Sequence, residues 1–264
     1  MAGFLVAAVL AAASPAVAPA AAEVQPSAAP AMFVVRDADT TVYLFGTFHA
    51  LDGKSAWFNE RVRNAFEQSD ELVLETLVPE ARAPGAPRPK PFPSLSMTPS
   101  ASFLASTRMA ISAGQSHGMQ VGNGADMVLR HVAETEGKPV EGLETLESQL
   151  NMFTRMPATV AAAPRKADAP AMDSLSKSMV EMQQAWKQGD QAVFVRMLGE
   201  LERGSPDTYR MMFTERNARW ADWIRARMQT PGTVFVAVGA GHLAGKDSVL
   251  VRLAQLGIRS SRVY

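Results

Sequence analysis

Apolar and polar residues follow two different periods along this chain. Near the start, Met32–Val35 and Thr41–Phe48 are short runs of branched and aromatic residues on either side of Arg36-Asp37-Ala38-Asp39, which predicts a β-hairpin. The second run includes TVYLF, apolar on both faces, the pattern of a strand in the interior of a sheet. Trp57–Gln68 places apolar side chains at Phe58, Val62, Ala65 and Phe66, a helical spacing, and Ser69-Asp70 ends it. Glu71–Thr76 (ELVLET) is another short buried strand. Strand, helix and strand in succession predict a βαβ unit and therefore a partly parallel sheet.

The middle of the chain reads differently. Pro79–Pro99 is proline-rich, with Ala and Arg between the prolines, and predicts a loop. Ser102–Gly114 reads as a helix, Gly124–Gly137 as a helix closed by its glycine, Lys138-Pro139-Val140 as a short strand, and Thr145–Met156 as a helix broken by Pro157. Ala158–Ala171 is a second loose stretch. Met172–Met228 is helical in pattern almost throughout, divided at Gly189 and at Gly204-Ser205-Pro206. The end returns to sheet, with a strand at Thr233–Val238 (TVFVAV), a helix at Lys246–Leu256 and a strand at Arg259–Tyr264. The expected fold is one α/β domain over residues 23–264. Its mixed, partly parallel sheet is built from the N- and C-terminal halves, and a mostly helical insertion at 158–228 lies over it. Two separate domains would leave the last strands without partners.

Composition narrows the chemistry. The chain has 264 residues, 26 basic and 26 acidic, and no cysteine. That excludes a disulfide framework, a thiolate metal site and a cysteine nucleophile. A net charge of zero gives no basic stripe for nucleic acid. The first 22 residues carry no charge. Phe4–Ala13 is apolar but far short of the roughly 20 residues that span a bilayer. With Ala20-Ala21-Ala22 before Glu23, this reads as a signal peptide over 1–22, although no basic residue precedes the apolar run. An alanine-rich amphipathic helix is the other reading. The expectation is an exported chain, periplasmic or extracellular, with no membrane span.

Only four histidines are present, and two of them share a context. Gly46-Thr47-Phe48-His49 follows the first long strand, and Gly239-Ala240-Gly241-His242 follows the last. Each G-x-x-H is followed by Gly-Lys, at Gly53-Lys54 and Gly245-Lys246. If the two halves share a sheet, both motifs lie at carboxyl ends of strands, where open α/β sheets bind their ligands. A glycine there permits a positive-φ turn or a close approach to the backbone. Glu75 ends the ELVLET strand and could join them. Two imidazoles and one carboxylate suit a facial-triad metal site or a zinc site. A strand-end histidine that merely meets solvent is the competing reading. His117 and His131 read as surface residues.

Five separated segments resemble one family. VYLFGTFHALDGKSAWFNERVRNAFEQSDELVLET is similar to the opening block of the TraB/GumN family, and GADMVLRHVAETEGKPVEGLETLESQL to its middle block. MQQAWKQGDQAVF, TERNARWADWI and VFVAVGAGHLAGKDSVLVRLAQLGI resemble its closing blocks. The resemblance implies kinship with Tiki-type metalloproteases. It implies a site of His49, His242 and Glu75, with Gly46 and Gly239 as motif glycines and Arg216 as the associated arginine. Glu144 matches a family position of unassigned role. Read from the helix alone, Arg216 is one of several arginines that could simply form surface ion pairs; Asn217 beside it could also face the sheet edge.

The expected function is therefore an exported, metal-dependent hydrolase of peptide or amide bonds. His49, His242 and Glu75 would hold a divalent ion, manganese-like with zinc or cobalt as alternatives. Glu75 and Arg216 would be catalytic, on a peptide or small-molecule substrate. Two rivals stand beside it. One is metal-free, esterase-like hydrolysis with a histidine as general base oriented by Glu75. The other is a non-catalytic envelope accessory protein that binds a peptide in the same cleft.

Overall fold

The computed structural model describes residues 28–77, 101–155 and 169–263, with the backbone alone for 101–107 and 169–171. The signal peptide expected at 1–22 and the proline-rich loop at 79–99 lie outside the described residues, as does most of the loose stretch at 158–171.

The hairpin forms from β1 (Met32–Arg36) and β2 (Thr40–Thr47), antiparallel with Met32 opposite Phe45. Helix α1 (Glu60–Glu67), capped by the Asn59 side chain on the N–H groups of Arg61 and Val62, leads to β3 (Glu71–Thr76). Helices α2 (Ala101–Gln115) and α3 (Ala125–Thr135) precede β4 (Val140–Glu144) and α4 (Leu146–Thr154). The long helical stretch comprises α5 (Ala169–Gln188), α6 (Ala192–Gly204), the single turn α7 (Pro206–Tyr209), a π-helical turn at Arg210–Thr214, and α8 (Glu215–Arg227). Strand β5 (Gly232–Gly239), helix α9 (Val249–Gln255) and β6 (Ser261–Arg262) complete the fold.

The strand order is β4-β3-β5-β2-β1-β6. Strand β5 runs parallel to both β2 and β3 and sits between them. Strand β5, from the C-terminal half, is thus threaded into the N-terminal βαβ unit, and the mixed α/β sheet expected from the sequence is the one that forms. Apolar residues on both faces explain why. Phe45, Leu72, Leu74, Phe235 and Ala237 pack on one side with Val62 and Phe66 of α1 and Leu129 of α3. Val42, Leu44, Val73, Val236 and Val238 pack on the other with Trp220 and Ile224 of α8 and Leu253 of α9. A parallel strand covered on both faces has no solvent side, so its run is apolar throughout.

The two Gly-Lys pairs are turn devices. Gly53 and Gly245 adopt φ of 69° and 81°, which a side chain would disfavour. Lys246 pairs with the surface carboxylate of Glu202.

Candidate functional site

Parallel pairing of β2 with β5 brings the two G-x-x-H motifs side by side. Thr47 is opposite Gly239, so the second motif starts one residue farther along the sheet edge. Neither motif glycine serves a positive-φ turn; Gly239 has φ −51°, and Gly46 is not among the positive-φ glycines. Both are needed for closeness instead. A Cβ on Gly46 would lie 3.2 Å from the Ala240 Cα, so the first motif packs directly on the second. A Cβ on Gly239 would lie 3.1 Å from Glu75 Oε1, 3.5 Å from His49 Nε2 and 3.7 Å from His242 Cδ2. Three side chains from three strand ends therefore converge over one bare Cα. The bond from Trp186 Nε1 to the Gly46 carbonyl, 2.7 Å, ties α5 to this edge.

His49 is on the open side of the cluster, its side chain 61% exposed. Its Nδ1 is 3.3 Å from Asp126 Oδ1. Desolvation by the surrounding protein pulls the His49 pKa down, but Asp126 through its contact and charge, together with the charge of Glu75, outweighs that and raises it to about 9. Sequence reasoning does not reach Asp126. Its signal was the Gly124-Ala125-Asp126 run: a Cβ on Gly124 would lie 2.4 Å from the His49 carbonyl oxygen, and Ala125 N–H donates to the Phe48 carbonyl at 3.0 Å. The start of α3 is thereby seated against the His49 loop.

His242 is buried. Its Nδ1 is 2.6 Å from Asn217 Oδ1, and its Nε2 is 3.2 Å from Arg216 Nη1. The Asn217 amide nitrogen donates to the Asp247 carbonyl, so its oxygen faces the ring. A guanidinium only donates. The tautomer assigned by these partners therefore carries its proton on Nδ1 and offers its Nε2 lone pair inward. Burial, supported by Arg216 and His49 against the opposing charge of Glu75, lowers the His242 pKa to about 3.

Arg216 is the centre of the network and is 4% exposed. Its Nη2 donates to Glu75 Oε2 at 2.9 Å, and its Nε donates to both Glu144 oxygens at 3.1 and 3.0 Å. Its Nη1 also donates to the Met212 carbonyl at 3.3 Å, and its plane lies over Trp220 at 4.5 Å. The surface-ion-pair reading of this arginine fails; Arg219, 56% exposed and also on Glu144, is the solvated one. Glu144, whose role the sequence left open, anchors Arg216 from the end of β4. Of the guanidinium's five N–H groups, one on Nη2 has no partner among the described residues. The π-helical turn supplies the Met212 carbonyl and sets Phe213 against the His242 ring at 4.8 Å. The helical pattern gave no warning of it, although such turns recur at functional sites.

Glu75 accepts from the Gly239 N–H at 2.6 Å and lies 3.7 Å from His242 Nε2. Burial alone would raise its pKa, but the imidazoles of His242 and His49, the guanidinium and the Gly239 N–H together hold it down at about 2. It is a carboxylate at any physiological pH. His117 and His131 are exposed, as expected.

The donor set suits a divalent ion in kind and aim. Each imidazole has an outer partner on its Nδ1 side, a hydrogen-bonded Asn217 for His242 and a charged Asp126 at 3.3 Å for His49, and turns Nε2 inward, an arrangement that resembles metal-ligating histidines. As the side chains lie, no three His, Asp or Glu groups among the described residues stand close enough to grip one, and Arg216 Nη1 occupies the His242 lone pair. An ion at His242 Nε2 would have to displace Arg216 Nη1.

Above the cluster, α2, α4, α5, α6 and the π-helical turn enclose a cleft of about 470 Å³ whose floor includes His49, Glu75, Arg216 and His242. No helix among the described residues is long and apolar enough to cross a membrane.

Comparison with known proteins returns one relation. The sequence profile of the TraB/PrgY/gumN family matches residues 31–88 and 90–262. No curated protein and no solved structure matches the chain. The profile takes in both G-x-x-H motifs, Glu75, Asp126, Glu144 and Arg216 and is interrupted only at Pro89, so the chain belongs to the TraB/PrgY/gumN family.

Proposed function

We propose that this protein is an exported hydrolase of amide bonds that works with a divalent, manganese-like ion held by His49, His242 and Glu75. The observation that carries this is the convergence of two tethered imidazoles and an ionised carboxylate over Gly239. An ion bound there would supply a water acidic enough to attack a carbonyl near neutral pH.

The chain's own residues divide the remaining work. Asp126 and Asn217 flank the Nδ1 sides of the two imidazoles, so ligation by both Nε2 atoms would require His49 to lose its proton and Arg216 Nη1 to leave His242 Nε2. The low pKa of Glu75 suits a ligand better than a general acid. Arg216, fixed by Glu75 and Glu144, keeps one Nη2 hydrogen for charge that develops on a carbonyl oxygen. Export rests on the uncharged, alanine-rich residues 1–22, and the N-terminal sequence of the secreted chain tests it.

A second reading is favoured by the bond from Arg216 to His242 Nε2. Without an ion, His49 backed by Asp126 is an acid–base imidazole at the cleft's open side, and Asp126 rather than Glu75 orients it. Assay of N-acyl amides before and after exhaustive chelation separates the readings. Activity lost on chelation and restored by Mn²⁺ supports the metal hydrolase. Activity indifferent to chelation but lost in His49→Ala supports the metal-free one. No turnover of any amide, with ligand binding retained, leaves an accessory binding protein.

A further inference from the structure

The cleft over the cluster is walled mostly by apolar side chains. Its wall carries four methionines, Met179, Met182, Met197 and Met212, from three different elements. Methionine is flexible and polarisable and adapts to apolar chains of varying shape. At about 470 Å³ the cleft falls within the range of roughly 300–1,000 Å³ typical of small-molecule sites. Ile111 and Val121 line it while remaining 37% and 47% exposed, and apolar side chains gathered in the open mark a binding surface.

What the wall lacks is equally informative. Apart from the cluster on the floor, Thr47 and Gln149 are the polar side chains among the lining residues described. An extended peptide lying in this cleft would meet few polar side chains among the described lining residues, and each buried amide group left unmatched costs free energy. A hydrocarbon chain has no such groups.

We infer that the substrate is an N-acylated amine whose medium-length acyl chain occupies the methionine-lined cleft, with its carbonyl on the floor beside His49 and Arg216. This rests on the hydrolase reading above and adds the substrate class to it. Water is split across the acyl–nitrogen bond: hydroxyl joins the carbonyl carbon and a proton goes to the departing amine, so the products are a carboxylic acid and a free amine.

The test has two arms. Calorimetric titration of the full chain with octanoate, decanoate and dodecanoate, and with a capped apolar peptide, reads binding without turnover. Hydrolysis of acetyl, octanoyl and dodecanoyl amides of one amine reads chemistry. The expected result is affinity rising roughly threefold to fourfold per added methylene, weak peptide binding, and kcat/KM rising in parallel. Ala110→Trp, which fills the cleft from α2, and Met182→Gln, which places an amide in its wall, should each remove the chain-length dependence while retaining the native circular dichroism. Dodecanoate binding that Ala110→Trp abolishes, with no amide cleaved, would uphold the acyl cleft and sink the hydrolase. Equal cleavage of acetyl and dodecanoyl amides without dodecanoate binding would do the reverse. Tighter binding of the peptide than of dodecanoate overturns the inference.

Discussion

Asp126 Oδ1 lies 3.3 Å from His49 Nδ1. The pair joins the first turn of α3 to the loop after β2, and the bare Cα of Gly124 permits the approach. Asp126→Asn removes the charge that holds the His49 pKa up at about 9. In metal-free protein, NMR titration of His49 should then give a lower pKa than in the wild type. Loss of such an outer partner lowers metal affinity or activity by about 10- to 100-fold. An unchanged His49 titration would show that Asp126 exerts no hold on the ring.

The pH dependence of stability in the metal-free chain has two opposing parts. His49 has a folded pKa raised above the ordinary 6.5 to about 9, so its contribution is full below 6.5 and is lost as pH rises through 9. His242 has a folded pKa lowered to about 3, so the unfolded chain takes up a proton first and stability falls as pH drops from 6.5 towards 3. Glu75, lowered to about 2, adds a further loss below 4.5. His242→Gln, which lacks the titrating group, should flatten Tm against pH between 6.5 and 4.5. A profile as steep as that of the wild type would place the acid lability elsewhere.

Arg216 sits between Glu75 and Glu144 with its side chain 4% exposed. Removing one partner of a buried ion pair costs about 3–5 kcal/mol because the other is left uncompensated. Arg216→Met should therefore lower unfolding free energy by about that much in urea and raise the pKa of Glu75. Glu144→Gln, which keeps one acceptor, should cost less. Equal losses in the two variants would mean that Glu144 is the greater anchor.

The two motif glycines should separate function from folding. Gly239 has an ordinary φ, so Gly239→Ala brings no backbone strain, but its methyl would lie 3.1 Å from Glu75 Oε1 and 3.5 Å from His49 Nε2. Activity and ion binding should fall sharply with little change in Tm. Gly46→Ala presses on the Ala240 backbone at 3.2 Å. Overpacking of that kind costs about 1–3 kcal/mol, read as a lower Tm. The opposite assignment of effects would contradict the convergence over Gly239.

The elements of the sheet were legible because β2 and β5 are apolar on both faces, and only a covered strand tolerates that. Pairing of the two G-x-x-H motifs was legible for the same reason, since a shared sheet puts both at its carboxyl edge. The order of strands was not, because nothing local tells β5 to enter between β2 and β3. Asp126 was hidden by an ordinary explanation: an acidic residue in a helix's first turn already complements the helix dipole. Glu144 was hidden because its partner, Arg216, is brought to it only by the packing of α8 on the sheet. The π-helical turn left no mark, as RMMFT fits a regular helix equally well.

Metal content decides between the competing chemistries at once. Protein purified without chelator, then dialysed against Mn²⁺ and analysed by mass spectrometry, should carry one ion per chain. His49→Ala, His242→Ala and Glu75→Gln should each lose it, with folding checked by circular dichroism. A wild-type chain that takes up no ion at any concentration, yet cleaves an N-acyl amide, would contradict the metal site and leave catalysis to His49 and Asp126.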